Sequence, residues 1–141
     1  MKVIAKNKRG TYDYQILDKW QAGIVLKGFE IKAIRAGKVN ITTSYCSLKN
    51  HEVWLVGATI GHNPDLDSSN LTRHKLLLKR NEIRKIAKLL EQSGTSLIPL
   101  AIGLSRHLAK LEIGVGKGLK KHDKRQAIKA REARREIDRK I

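Results

Sequence analysis

The sequence has 141 residues, of which 30 are Lys or Arg and 13 are Asp or Glu, so its formal net charge is +17 at pH 7. A field this positive attracts polyanions, which makes nucleic acid the expected partner and an unspecific basic surface the alternative. The single cysteine excludes an internal disulfide. The sequence shows no secretory signal, and no apolar run approaches the roughly 20 residues of a membrane-spanning helix. We therefore expect a cytoplasmic protein without membrane contact.

The first quarter of the chain is predicted to contain a basic lead-in, strands and a helix. Met1 to Gly10 holds four Lys or Arg and is expected to be loose until it meets RNA. Tyr12 to Leu26 suits strands, with Gly23 as a bulge or a site of close approach. Gly28 to Ala36 has helical spacing, and Gly37 is a natural stop.

The middle of the chain is predicted to form a hairpin, a loop and a longer helix. Ser44 to Leu48 and Val53 to Ile60 flank a polar turn, which is typical of a hairpin. Gly61 to Thr72 is rich in Asn, Asp and Ser and predicts a mobile loop. Arg73 to Ser93 is predicted to be a helix, because apolar residues recur at three- and four-residue steps from Ile83 to Leu90.

The remainder divides into a strand-forming part and a basic tail. Thr95 to Val115 returns to strands, with a turn at Ser105 to His107. Several short strands and few helices favour a mainly β protein: an OB-fold-like small barrel, closed or partly closed, flanked by two to three helices. We assign residues 1–116 to this body. The tail is residues 117–141, where 11 Lys or Arg face 4 Asp or Glu.

The tail is predicted to be disordered alone. Its helical apolar stripe is thin, and like charges four residues apart, such as Arg131 and Arg135, oppose an isolated helix. It could become a helix once phosphates neutralise its cations. The alternatives are a solvated helix without a role and a generic basic arm.

No catalytic motif is present in the sequence. It lacks a GxxxxGK[ST] phosphate loop, GxSxG, HExxH and paired CxxC motifs. The five histidines lie in different segments without metal-ligand spacing, and Cys46 sits among small polar and β-forming residues. We therefore expect a protein that is not an enzyme and needs no metal or cofactor.

Four segments together resemble the small protein B (SsrA-binding) family, the protein partner of tmRNA. They are Asn7-Lys8-Arg9 with Tyr12-Asp13-Tyr14, Ala22 to Leu26 with GFEIKAIRAGKVN from Gly28 to Asn40, Thr72-Arg73 with Lys75 to Leu78, and IGVGKGLKKHDKR from Ile113 to Arg125. They occur in the family's order and span nearly the whole chain. The GFEIKAIRAGK and KKHDKR blocks are the specific ones.

The resemblance implies a fold and a function. The fold would be an oligonucleotide-binding barrel flanked by helices, with a tail that is disordered in the free protein. The function would be that of an RNA-binding adaptor in trans-translation, which binds the tRNA-like domain of tmRNA. With elongation factor Tu it would help deliver tmRNA to stalled ribosomes, where the stalled peptide receives a degradation tag. We expect the adaptor to be a monomer.

The resemblance also implies a set of tmRNA contacts. The matching positions are Asn7, Lys8, Arg9, Tyr12, Glu30, Lys32, Arg35, Lys38, Asn40, Lys75, Leu76 and Lys110. Tyr12 would stack on an unstacked base, and the cations would contact the RNA backbone. Glu30 would accept base N–H donors or, alternatively, cap its helix or orient a neighbouring cation. Leu76 would lie on the RNA-binding surface, although a place in the core is the commoner fate of a leucine.

A second set of positions would bind the ribosome. It comprises Lys117, Gly118, Lys120, Lys121, His122, Asp123, Lys124 and Arg125. In the family this tail enters the decoding centre of the small subunit and the empty mRNA channel, where it would become helical and His122 could stack on a ribosomal base. Leu119 departs from the pattern, because many relatives have a lysine there.

Two other classes of protein compete with this interpretation. Another basic OB-type protein of the ribosome or of translation would explain the charge and the fold equally well, and the two specific blocks argue against it. An RNA-processing enzyme is the third class, and the missing motifs argue against it.

Overall fold

A computed structural model of the chain describes residues 1–61 and 73–119. This part of the chain is mainly β, as expected, with nine strands and three helices. The strands are β1 Lys2–Lys6, β2 Tyr14–Ile24, β3 Val39–Asn40, β4 Tyr45–Lys49, β5 Glu52–Val56, β6 Thr59–Ile60, β7 Arg73–Leu77, β8 Thr95–Ser105 and β9 Leu108–Gly118. The helices are α1 Lys8–Asp13, α2 Gly28–Arg35 and α3 Arg80–Leu90.

Seven strands form one antiparallel sheet in the order β1-β8-β9-β2-β7-β5-β4, and β3 pairs separately with β6. The sheet curls so that β4 approaches β8, yet among the described strands no ladder joins the two. Closing a barrel requires its edges to pair. The edge strands β1 and β4 have five residues each and do not pair with one another. Of the two expected forms, closed and partly closed, the closed barrel is therefore wrong, and the sheet is open.

The N-terminal segment is part of the sheet, so the prediction of a loose lead-in is wrong. β1 pairs with β8, and directly after β1 the backbone amide of Asn7 donates to the Leu100 carbonyl at 2.8 Å. Because α1 follows at once, Tyr12 lies in a helix and the first long strand begins only at Tyr14. The partner strand lies more than 90 positions away, as in the 92-residue separation of Asn7 and Pro99. Local patterns carry no signal of such a pairing.

Gly23 is a site of close approach and not a bulge. A Cβ atom on Gly23 would lie 3.2 Å from the Leu77 Cβ on the neighbouring strand β7. The register between β2 and β9 shifts instead between Ile16 and Asp18. An extra residue there increases the local twist of β2 and helps the sheet to curl.

Two elements with strong local signals are confirmed, although the second hairpin strand was predicted to reach Ile60 and ends at Val56, and β6 pairs with β3. Helix α2 occupies the predicted segment, and Gly37 follows it with a φ of 76°, a conformation that glycine adopts without strain. The hairpin of β4 and β5 turns at Asn50 and His51, whose φ angles of 52° and 61° fit a type I′ turn.

The segment Arg73–Leu77 is a strand, so the helix predicted from Arg73 begins too early. His74 and Leu76 are buried whereas Arg73 and Leu77 are exposed, which is the period of two of a strand. Helix α3 starts after Lys79, whose amide donates to the Glu82 carboxylate at 2.8 Å. The three consecutive leucines hide this boundary, because they suit a helix as well as a strand.

The C-terminal hairpin confirms the predicted strands and extends them. β8 and β9 pair along most of their eleven residues around Arg106, which has a φ of 57°. β9 continues to Gly118, and the Leu119 amide donates to the Asp13 carbonyl at 3.0 Å. The largest fully buried apolar side chains are Ile34, Ile41, Val53, Leu55, Ile86, Ile102, Leu111, Ile113 and Val115. They come from the sheet, α2, α3 and the segment after β3, and they form one core.

Candidate nucleic-acid interface

Helix α2 presents a basic face to solvent. Lys32 and Arg35 are exposed in its last turn, where the helix dipole favours cations. Lys38 and Asn40 follow and are also exposed. Ala33 and Ile34 are buried and anchor the opposite face. These four positions of the expected tmRNA contact set are therefore accessible to solvent.

Glu30 differs from these neighbours, because both of its carboxylate oxygens bond within the protein. Only 3% of Glu30 is exposed. Its Oε1 accepts from the Lys27 amide at 2.9 Å, and its Oε2 bonds with Nε2 of His74 on β7. This confirms that Glu30 caps α2, as a residue at the third helical position can do. Its oxygens could each accept a second hydrogen bond, but burial leaves almost none of Glu30 accessible to a base.

His74 is the buried partner of Glu30, a positioning residue that sequence reasoning missed. It is 4% exposed, and its Nδ1 is buried without a hydrogen-bond partner among the described residues. The Glu30–His74 pair links α2 to the core-facing side of β7, and the two residues are 44 positions apart in sequence. The alternation of Arg73 to Leu77 was the available signal, since it assigns His74 to the same side as Leu76.

The expected contacts near the N-terminus divide into a buried anchor and an exposed group. Asn7 is buried: its Nδ2 donates to the Pro99 carbonyl at 2.8 Å, and its Oδ1 accepts from the Gly10 amide at 3.0 Å. It caps α1 and fixes that helix against β8. Lys8, Arg9 and Tyr12 are exposed on α1. Asn7 therefore positions the group and does not itself reach the surface.

Leu76 lies in the core, so its expected place on the RNA-binding surface is wrong. It is 3% exposed, whereas Leu77 is 55% exposed. In a strand only alternate side chains share a face, so one of the two leucines must point outward. Lys75 points outward with Leu77, and its Nζ lies 3.7 Å from Oε1 of Glu52. Lys110 is partly buried and pairs with Gly23, the residue that also pairs with Leu77.

The expected contacts thus fall on five elements, which are α1, α2, β3, β7 and β9. Lys8, Arg9 and Tyr12 belong to α1, and the basic group from Lys32 to Asn40 belongs to α2, β3 and the turn between them. Lys75 lies on the side of β7 that faces away from α2, because α2 contacts the strand through the inward-pointing His74.

Two of the expected ribosome contacts are described. Lys117 and Gly118 are exposed at the end of β9, where the Gly118 amide donates to the Gly94 carbonyl at 3.0 Å. The other six, which are Lys120, Lys121, His122, Asp123, Lys124 and Arg125, lie outside the described residues. Most of the loop predicted from Gly61 to Thr72, residues 62–72, lies outside them as well.

Other kinds of site would need a reactive thiol, a metal-binding cluster or a membrane-spanning helix. Cys46 lies in β4, and burial raises the pKa of its thiol, so the nucleophilic thiolate is disfavoured. Within residues 1–61 and 73–119, no group of three or more His, Cys, Asp or Glu comes together to hold a metal ion. The described helices include none that is long and apolar enough to cross a membrane.

Comparison with known proteins gives the family. A family model for "SmpB protein" matches residues 4–141. "SsrA-binding protein" of Desulfitobacterium hafniense is 44% identical, with 99% of this chain and 91% of the relative aligned. The Christiangramia forsetii relative of the same name is 44% identical, over 95% of this chain and 88% of the relative. A chain from the solved structure "tmRNA-SmpB: a journey to the center of the bacterial ribosome" has a TM-score of 0.66 at 35% identity, and the match covers 88% of this chain and 93% of that one. This chain belongs to the SmpB family.

Proposed function

We propose that this protein is an RNA-binding adaptor that binds the tRNA-like domain of tmRNA and helps to deliver it to stalled ribosomes for trans-translation. The observation that carries the proposal is the family match over residues 4–141, supported by relatives that are named for binding SsrA and align over almost their whole length.

The described surface supports this function physically. The exposed cations of α1 and α2 meet the requirement of RNA binding for charges that neutralise phosphates. Tyr12 is exposed beside Lys8 and Arg9, so a base and its phosphates could be contacted from the same helix. The bonds of Asn7 and Glu30 hold these two helices in place, and we assign both residues a positioning role.

The architecture supports the proposal in its finer form. We propose that the curled sheet is an open variant of an OB-like barrel, because β4 approaches β8 without pairing. Residues 1–116 would form the RNA-binding body as a cytoplasmic monomer, and residues 117–141 would form the ribosome-binding tail. The tail would enter the decoding centre and the mRNA channel, where its positive charge suits walls of phosphate. Elongation factor Tu would take part through the tmRNA complex. No catalysis is assigned to the protein.

A reconstituted tagging reaction tests the proposal. Ribosomes are stalled at the end of a message without a stop codon and supplied with charged tmRNA and elongation factor Tu. Adding this protein should transfer the tag to the stalled peptide, and omitting it should leave the peptide untagged. Equal tagging with and without the protein would contradict the adaptor function.

A further inference from the structure

The outer face of the sheet formed by β4, β5 and β7 combines aromatic and basic side chains. The strand register places Tyr45 beside Val56 and Val56 beside Arg73, and in the next row Ser47 beside Trp54 and Trp54 beside Lys75. The nine residues of this outer face are Tyr45, Ser47, Lys49, Glu52, Trp54, Val56, Arg73, Lys75 and Leu77. Their sequence neighbours on the same strands, among them Val53, Leu55 and Leu76, point into the core.

Trp54 is held in place by polar contacts within the outer face. Its Nε1 donates to Oε2 of Glu52 at 3.2 Å, and the guanidinium carbon of Arg73 lies 5.1 Å from the centroid of its ring. Oε1 of Glu52 lies 3.7 Å from Nζ of Lys75. The single acid of the outer face is therefore paired within it, which orients the indole ring and leaves the net charge of the face positive.

The exposed groups that remain are those that bind unpaired nucleotides. Tyr45 is 56% exposed at the sheet edge, and Arg73 and Lys49 are exposed on either side of Trp54. Aromatic rings and guanidinium planes accept stacked bases, while lysines contact the backbone between them. Three cations against one paired acid make the outer face complementary to a polyanion. An acidic helix from a protein partner could pair with the cations, but it would not use the aromatic ring faces as stacked bases do.

We propose that the outer face of β4, β5 and β7 binds unpaired bases of single-stranded RNA. Tyr45 and the Trp54–Arg73 pair stack on the bases, and Lys49 and Lys75 contact phosphates. This surface lies on the side of β7 away from α2, so an RNA held by the basic face of α2 leaves it accessible. The proposal goes beyond the adaptor function and does not require that the RNA be tmRNA.

Tryptophan fluorescence of the full-length protein tests the proposal. The chain has two tryptophans, Trp20 and Trp54, so a Trp20→Phe variant reports on Trp54 alone. Titration with a short oligoadenylate should quench this fluorescence, because a base reaches the Trp54–Arg73 pair. A duplex RNA of the same length and concentration should quench it much less. Equal quenching by the two RNAs would overturn the proposal, since attraction by charge alone would explain it.

Substitutions identify the groups that bind. In the wild-type background, Trp54→Ala and Tyr45→Ala should each weaken oligoadenylate binding by about tenfold, the loss expected for one stacked base. Trp54→Phe should restore most of the affinity, because the ring is retained while the bond to Glu52 is lost. Leu108→Ala is the matched control, since Leu108 is exposed and apolar but lies at the β8–β9 turn. Affinity is measured by anisotropy of the labelled oligonucleotide.

The stacking proposal can be tested even if Trp54→Ala fails to fold. Tyr45 lies exposed at a sheet edge, so its variant keeps the core intact and still tests stacking. Losses confined to Trp54 and Tyr45 support the proposal. Unchanged affinity in Tyr45→Ala, or an equal loss in Leu108→Ala, would overturn it. Failure to bind the tRNA-like domain would contradict the adaptor function and leave this result standing.

Discussion

Adjacent leucines on β7 have opposite environments, and their substitution tests the register of that strand. Leu76→Ala should lower the free energy of unfolding by about 2–5 kcal/mol, because it leaves a cavity in the core. Leu77→Ala should change it by less than about 0.5 kcal/mol, because Leu77 is exposed. Urea unfolding followed by circular dichroism measures both. The reverse order of effects would show that β7 is shifted by one residue.

A second residue-level prediction concerns the buried Glu30–His74 pair. Glu30→Ala leaves the Lys27 backbone amide without its acceptor and His74 without its partner, so it should lower the free energy of unfolding by about 3 kcal/mol. His74→Ala should destabilise as well, and the double variant should cost less than the sum of the two, with a coupling of about 1–3 kcal/mol. Additive effects would mean that the pair does not bond.

Glu30→Gln separates the positioning role from a direct contact with RNA. Glutamine keeps an oxygen for the Lys27 amide, so a folded variant should retain its affinity for the tRNA-like domain if Glu30 acts only within the fold. A tenfold loss of affinity in a variant of unchanged stability would instead support the base contact.

At the scale of elements, the sequence predicted what local chemistry determines. Helix α2 and the β4–β5 hairpin were predicted because Gly37 and the Asn50-His51 turn mark their ends within a few residues. β1 was missed because its partner β8 is remote in sequence. β7 was missed because three consecutive leucines fit the period of a helix as well as that of a strand. The candidate site divides in the same way. The exposed cations of α1 and α2 were identified, whereas the burial of Asn7, Glu30 and Leu76 depends on contacts with other elements.

The tail should be separable from the body. Truncation after Leu119 keeps the last described bond, from the Leu119 amide to the Asp13 carbonyl. The truncated protein should bind the tRNA-like domain with nearly full affinity and fail in the tagging reaction. A large loss of RNA affinity would contradict the assignment of two surfaces to two parts of the chain.

At the scale of the whole molecule, the net charge of +17 should make binding strongly dependent on salt. If about six phosphates are neutralised, the logarithm of the binding constant should fall with the logarithm of salt concentration at a slope of about −4 to −5. Titrations at several salt concentrations give this slope. A flat response would contradict binding led by phosphate contacts.

The most direct test of the adaptor function is a competition titration at fixed salt. Labelled tRNA-like domain of tmRNA is bound to the full-length protein and challenged with unlabelled tRNA-like domain, bulk tRNA or fragments of ribosomal RNA. We expect only the unlabelled tRNA-like domain to displace the label efficiently. Equal displacement by every RNA would contradict specific recognition of tmRNA and would favour a general basic protein of the translation machinery.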